Sequence, residues 1–107
     1  MALISLEEAK SYLRVDSADE DAMISSLILS AGVLAKDVGR VSDTQWDAIN
    51  AEPAEEDGTE VISLRAIFRV AVLYALGYLY EHREEADHHA LTLTLRSLLF
   101  SVREGVL

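Results

Sequence analysis

Ala66-Ile67-Phe68-Arg69-Val70-Ala71-Val72-Leu73-Tyr74-Ala75-Leu76-Gly77-Tyr78-Leu79-Tyr80 is a run of fifteen residues in which only Arg69 and Gly77 are not hydrophobic. It contains no Pro and is bounded by polar residues on both sides. It therefore reads as the middle of a long helix that starts between Thr59 and Ser63 and runs to about Glu84. A helix that is apolar nearly all round must be covered on several sides. The run is too short, and too interrupted by Arg69, for a bilayer, which needs about 20 apolar residues. A chain of 107 residues has limited material for the cover. The sequence asks for a tightly wrapped central helix, for a partner subunit, or for both.

The flanking segments supply part of that cover. Ser5 followed by Glu8 is a capping-box pattern, so a short helix begins there with Leu6, Ala9 and Leu13 on one face. Val15-Asp16-Ser17 breaks it, and a second capping pattern follows, Ser17 with Glu20 or Asp19 as the alternative cap. Ile24, Leu27, Ile28, Ala31, Leu34, Ala35 and Val38 then recur at spacings of three and four, the pattern of an amphipathic helix, with Gly39 as its expected C-terminal stop. Ser42 to Ile49 suits a short helix capped by Ser42 or Asp43, with Trp46 and Ile49 facing inward. Ala51 to Gly58 reads as an acidic loop and as the most mobile part of the molecule. A turn at Asp87, His88 and His89 leads to a last helix, Leu91 to Val102, with Leu95, Leu98, Leu99 and Val102 on its apolar side. Within it Leu91-Thr92-Leu93-Thr94-Leu95 alternates in the manner of a short strand, which is the competing reading there. The expectation is an all-α fold: a small bundle of two long and two or three short helices around the central apolar one.

Composition narrows the chemistry. The length fits one domain, residues 1–107, with an acidic loop insertion around 41–60 and a core that needs no staples. There is no Cys, which removes disulfides, thiolate nucleophiles and thiolate metal sites together. Met1 leads straight into a helix-like segment, so no export signal is expected. Nineteen acids against nine bases, a formal charge of −10, argue against a nucleic-acid clamp, which is driven by Lys and Arg. His82, Glu85, His88 and His89 form the one cluster resembling a metal or acid–base site. His82 and Glu85 suit one helix face, but His88 and His89 do not converge with them and no fourth ligand follows by spacing. The plainer reading is a solvated helix end and turn, so no metal or cofactor is expected. Carboxylates are abundant, but no pair sits in a setting that would raise one pKa and leave the other low; no G-x-S-x-G serine or Gly-rich phosphate loop is present, and no enzyme is expected. Tyr74 and Tyr78 share a helix face and suit a core or an interface. Arg69, inside an apolar stretch, must pair with a carboxylate or reach solvent, so it is a candidate for an inter-subunit or inter-helix ion pair.

Three pieces in this order carry a resemblance. They are Leu6-Glu7-Glu8-Ala9-Lys10-Ser11-Tyr12-Leu13-Arg14-Val15-Asp16 followed by Asp19-Glu20-Asp21, then Leu73 to Glu84, and then Leu95-Arg96-Ser97-Leu98-Leu99-Phe100-Ser101-Val102-Arg103. The set resembles the small head–tail connector (head-completion, or adaptor) proteins of long-tailed phages and prophages, over nearly the whole chain apart from Val41 to Glu60. Where that family tends to have a Pro before the last helix, this chain has Thr92 or Thr94. The resemblance implies a structural virion protein at the head–tail junction, made in the host cytoplasm and without catalytic activity. It implies a homo-oligomeric ring of about twelve copies, its subunits monomeric in isolation or not, below the portal protein and above a tail or stopper protein. DNA passes through such a ring without specific binding, and no membrane is involved. Arg69, Tyr78 and Arg83 are then expected at or near the subunit contact, and Leu98, Leu99, Phe100 and Arg103 at the portal-docking surface. The acids of Val41 to Glu60 are expected to line the channel. The alternative is an acidic cytoplasmic adaptor or inhibitor that binds one basic protein as a dimer through those same acids.

Overall fold

Ser5 caps the first helix as its sequence predicts: its Oγ accepts from the Glu8 N–H at 3.1 Å while Glu8 returns a carboxylate to the Ser5 N–H. In the computed structural model, which describes residues 3–84 and 88–103, this helix is α1, Leu6–Leu13. It is followed by α2 (Asp21–Gly39), α3 (Asp43–Asn50), α4 (Thr59–Glu81), α5 (His89–Leu98) and α6 (Phe100–Arg103). The fold is all-α, with no strand among the described residues.

α2 and α4 form the centre and run antiparallel. Near one end the Tyr80 hydroxyl donates to Glu20 at 2.7 Å, and at the other Gly39 lies against Phe68. Ile24, Ile28, Ala31 and Ala35 of α2, with Phe68, Val72, Ala75 and Leu76 of α4, are buried in the shared core. By length and composition alone both helices would reach across a membrane; here they are the core of the bundle. The fifteen-residue run sits inside a 23-residue helix, longer than the run by itself suggests. α1 and α5 each pack across both long helices, and α3 packs on α4. The Trp46 ring meets Phe68 edge-on, centroids 5.6 Å apart, and Ile49 is fully buried.

Several boundaries differ from the sequence reading, each for a local reason. α2 begins at Asp21, with Glu20 at the cap position and no side-chain cap bond. Neither Ser17 nor Asp19 caps it, because the chain first makes a turn in which the Asp21 N–H donates to Ala18 O. Gly39 is the last residue of α2 and not its left-handed stop; that conformation falls on Arg40 (φ 56°), as it falls on Arg14 (φ 60°) after α1. Gly39 is required for space instead, since a Cβ there would lie 2.6 Å from the Phe68 ring. α4 ends at Glu81, short of Glu84. His82 Nδ1 lies 2.9 Å from Tyr78 O, and the Arg83 guanidinium donates to Tyr80 O, so side chains take up the last carbonyls. The Leu91–Leu95 alternation is helical. Leu91 and Leu95 are buried, whereas Leu93, which a strand would place beside them, is half exposed. Thr92 and Thr94 fit that helix by donating their hydroxyls to His88 O and Ala90 O. The last helix is broken at Leu99 into α5 and α6.

Candidate functional site

The central helix is not covered all the way round. Ile62, Ala66, Val70 and Tyr74 recur every four residues on α4 and all are exposed; Ile62, Val70 and Tyr74 show 56, 58 and 41% of their surfaces. Residues four apart are neighbours on a helix surface, so these side chains form one row about 18 Å long at 1.5 Å per residue. A second apolar row lies on α2, where Leu29 and Val33 are each 61% exposed, again four residues apart. Leu29 borders a shallow groove of about 410 Å³ and Val33 one of about 400 Å³.

The α4 row ends at a cleft of about 570 Å³ lined by all four tyrosines of the chain, Tyr12, Tyr74, Tyr78 and Tyr80. Gly77 makes room for it: a Cβ there would press on the Tyr12 ring at 3.2 Å. Tyr78 is half-buried and stacked on His82, centroids 4.1 Å apart, with His88 edge-on at 6.4 Å. The Tyr80 hydroxyl, bonded to the Glu20 carboxylate, has its pKa raised by that acceptor. Arg83 is exposed and lays its guanidinium over the Tyr80 ring at 5.0 Å. His82 and His88 thus meet through an aromatic ring. Among the described residues no group of three His, Asp or Glu side chains is placed to hold a metal; Glu85 and Asp87 lie outside the described residues.

Arg69 forms the inter-helix ion pair. Its guanidinium binds the Glu8 carboxylate of α1 and donates to Leu3 O at 2.7 Å, tying the N-terminal segment to α4 beside the exposed row. The Arg69 bond holds the Glu8 pKa below its ordinary 4.5, against partial burial that raises it. A carboxylate with a depressed folded pKa contributes stability that is complete above the unfolded value and disappears as pH falls through the folded one. Glu8→Gln is therefore expected to lower stability at neutral pH by up to about 1 kcal/mol, the scale of an exposed pair. Thermal melts from neutral pH to below pH 4.5 should show the wild-type advantage shrinking towards acid.

At the C-terminal corner, Leu98 and Phe100 are exposed and Leu99 is fully buried. Leu99 anchors the corner near Gly39, while Arg103 is half-buried with its Nε lacking a hydrogen-bond partner. Sequence reasoning passed over Arg65, which donates to Ala48 O and Ile49 O at the end of α3 and to Asp57 in the acidic loop. Its partners are 8 to 17 positions away, beyond any local pattern. Sequence reasoning also missed Leu29, Val33, Ile62 and Val70, whose signal is only that they fall off the buried faces.

No curated protein and no solved structure matches the chain. Residues 3–105, which hold all of these surfaces, match the family described as phage gp6-like head-tail connector protein, and the chain belongs to that family, a structural one that joins head and tail components in the virion.

Proposed function

We propose that copies of this chain close into a ring of about a dozen beneath the portal, extend the DNA channel and present a platform to the tail or a stopper protein. The observation that carries this reading is the α4 row. After the other described helices have packed, α4 still exposes Ile62, Val70 and Tyr74, and a neighbouring subunit is the natural cover for such a surface. Arg69, Tyr78 and Arg83 flank that contact, Arg69 from its pair with Glu8 and Tyr78 from the tyrosine cleft. Leu98 and Phe100 offer exposed apolar side chains for portal docking, with Leu99 holding the corner and Arg103 at its edge.

The charge supports a passage for DNA. Of the acids in residues 41–60, Asp43 is held by Lys36 and Asp57 by Arg65. Glu52, Glu55 and Glu56 are exposed and have no ion-pair partner among the described residues, and they are the side chains we assign to a channel wall that repels phosphate. Engagement of Asp43 and Asp57 within the fold weakens the alternative of an inhibitor that presents this whole segment to a basic partner.

Light scattering from dilute to near-millimolar protein, with and without a candidate portal, tests the reading. A closed multimer, either alone or only on the portal, is the expected result. A concentration-independent dimer that ignores the portal would overturn it.

A further inference from the structure

From Val41 to Leu64 the chain has no Lys or Arg, its longest such stretch. A loop that carries only acids repels itself and extends unless something holds it. Arg65 is the first cation after the stretch, and all three of its guanidinium nitrogens turn back towards it. Resting on the ring reading above, we propose that Arg65 is the positioning residue of the channel wall. It clamps the acidic loop onto α4, so that Glu52, Glu55 and Glu56 stand at fixed points.

The clamp grips the loop at two places. Arg65 Nη2 and Nε donate to Ala48 O and Ile49 O at 3.2 and 3.3 Å. These carbonyls belong to the last turn of α3, where a helix leaves its acceptors without partners of its own. Nη1 pairs with Asp57 Oδ2 at 3.2 Å. The same Oδ2 accepts the Ala54 N–H at 3.0 Å, and the Asp57 N–H donates to Ala54 O at 3.1 Å. Ala54 to Asp57 is thus a turn closed from both ends, with Glu55 and Glu56 as its exposed central residues. Glu52 follows Ala51, whose N–H donates to Asp47 O and closes α3. One guanidinium therefore fixes both the departure of the loop from α3 and the turn before its return to α4.

The arrangement divides the acids of the loop by role. Asp57 turns inward, its side chain 19% exposed beside an Arg65 that is 14% exposed, while Glu52, Glu55 and Glu56 face solvent. A wall that repels phosphate needs its charges held in place, since a carboxylate free to swing can fold away onto a cation elsewhere. Lysine cannot take over the clamp, because its single ammonium does not span two carbonyls and a carboxylate as the planar fork does.

The free subunit tests the clamp. The Ala54 and Asp57 amides should exchange with solvent far more slowly than in an unstructured peptide, and a glutamate-specific protease should cut poorly after Glu55 and Glu56. Arg65→Gln should speed both exchange and cleavage several-fold, with Arg65→Lys in between, while the core amides of Ile28 and Val72 keep their protection. Asp57→Ala leaves the α3 carbonyls bonded to Arg65 and should open the turn alone, so it carries the test if the loss of Arg65 unfolds α3. Rapid cleavage of the natural chain at Glu55 and Glu56, or a rate that Asp57→Ala leaves unchanged, would overturn the clamp whether or not rings form. A clamped loop in a protein that forms no multimer, with or without portal, would overturn its role in a channel wall.

Discussion

Phe68→Ala should destabilise the subunit by about 3–5 kcal/mol, the range for removing a fully buried aromatic ring, and lower its Tm by more than about 10 °C. Phe68 is wholly buried and is the largest such side chain in the molecule. It takes the edge-on contact of Trp46 from α3 and the backbone of Gly39 from α2, so two helices lose their shared contact on α4 at once. Gly39→Ala approaches the same point from the other side. Its new Cβ would sit 2.6 Å from the Phe68 Cζ, and a ring with no exposed surface has nowhere to withdraw. Overpacking of this kind costs about 1–3 kcal/mol. The two substitutions should not add, since in the double variant the methyl enters space vacated by the ring. Chemical denaturation of the two single variants and the double closes the cycle. Strict additivity would mean that Gly39 and Phe68 do not share this contact.

Val70→Glu should have the opposite profile: no ring, and a subunit as stable as the wild type. Val70 is 58% exposed in the middle of the α4 row, and exposed substitutions usually stay within about 0.5 kcal/mol. In an assembled contact the same carboxylate would be buried without a partner, in a particle whose subunits already carry a formal charge of −10, and an unpaired buried charge costs several kcal/mol. Circular dichroism and melting would confirm the fold, and light scattering with portal would read assembly. Normal rings from Val70→Glu would remove the α4 row from the contact. Val70 is a cleaner probe than Arg69, whose reversal to Glu would set two carboxylates against each other at Glu8 and damage the subunit first. Truncation after Leu95 is compromised in the same way, because it removes the buried Leu99.

Much of the bundle is legible in the chain because its signals are local. Ser5 with Glu8 and Ser42 with Gln45 close real capping boxes, and the three-and-four spacing from Ile24 to Val38 defines a real buried face. The candidate surfaces are harder to read, for a physical reason. When nearly every position of α4 is apolar, periodicity cannot say which side stays uncovered. That choice is made by α1, α3 and α5, through contacts such as Arg69 to Glu8, 61 positions apart. Gly39 shows the same limit: next to a helix end it looks like a turn residue, and only Phe68, 29 positions later, gives it a packing role. The alternation at Leu91–Leu95 satisfies both periods over five residues, and burial of Leu91 with Leu95 and Leu99 decides for the helix.

Arg14 and Arg40 end α1 and α2 with backbone φ of 60° and 56°, a left-handed conformation that costs a residue bearing a Cβ about 1–2 kcal/mol relative to its right-handed form and that glycine adopts freely. At each position the cap N–H bonds back into the helix it closes, Arg14 to Lys10 O and Ser11 O and Arg40 to Lys36 O. The chain thus carries, at two helix ends, a backbone cost that a glycine would shed, a margin of stability that the fold leaves unused.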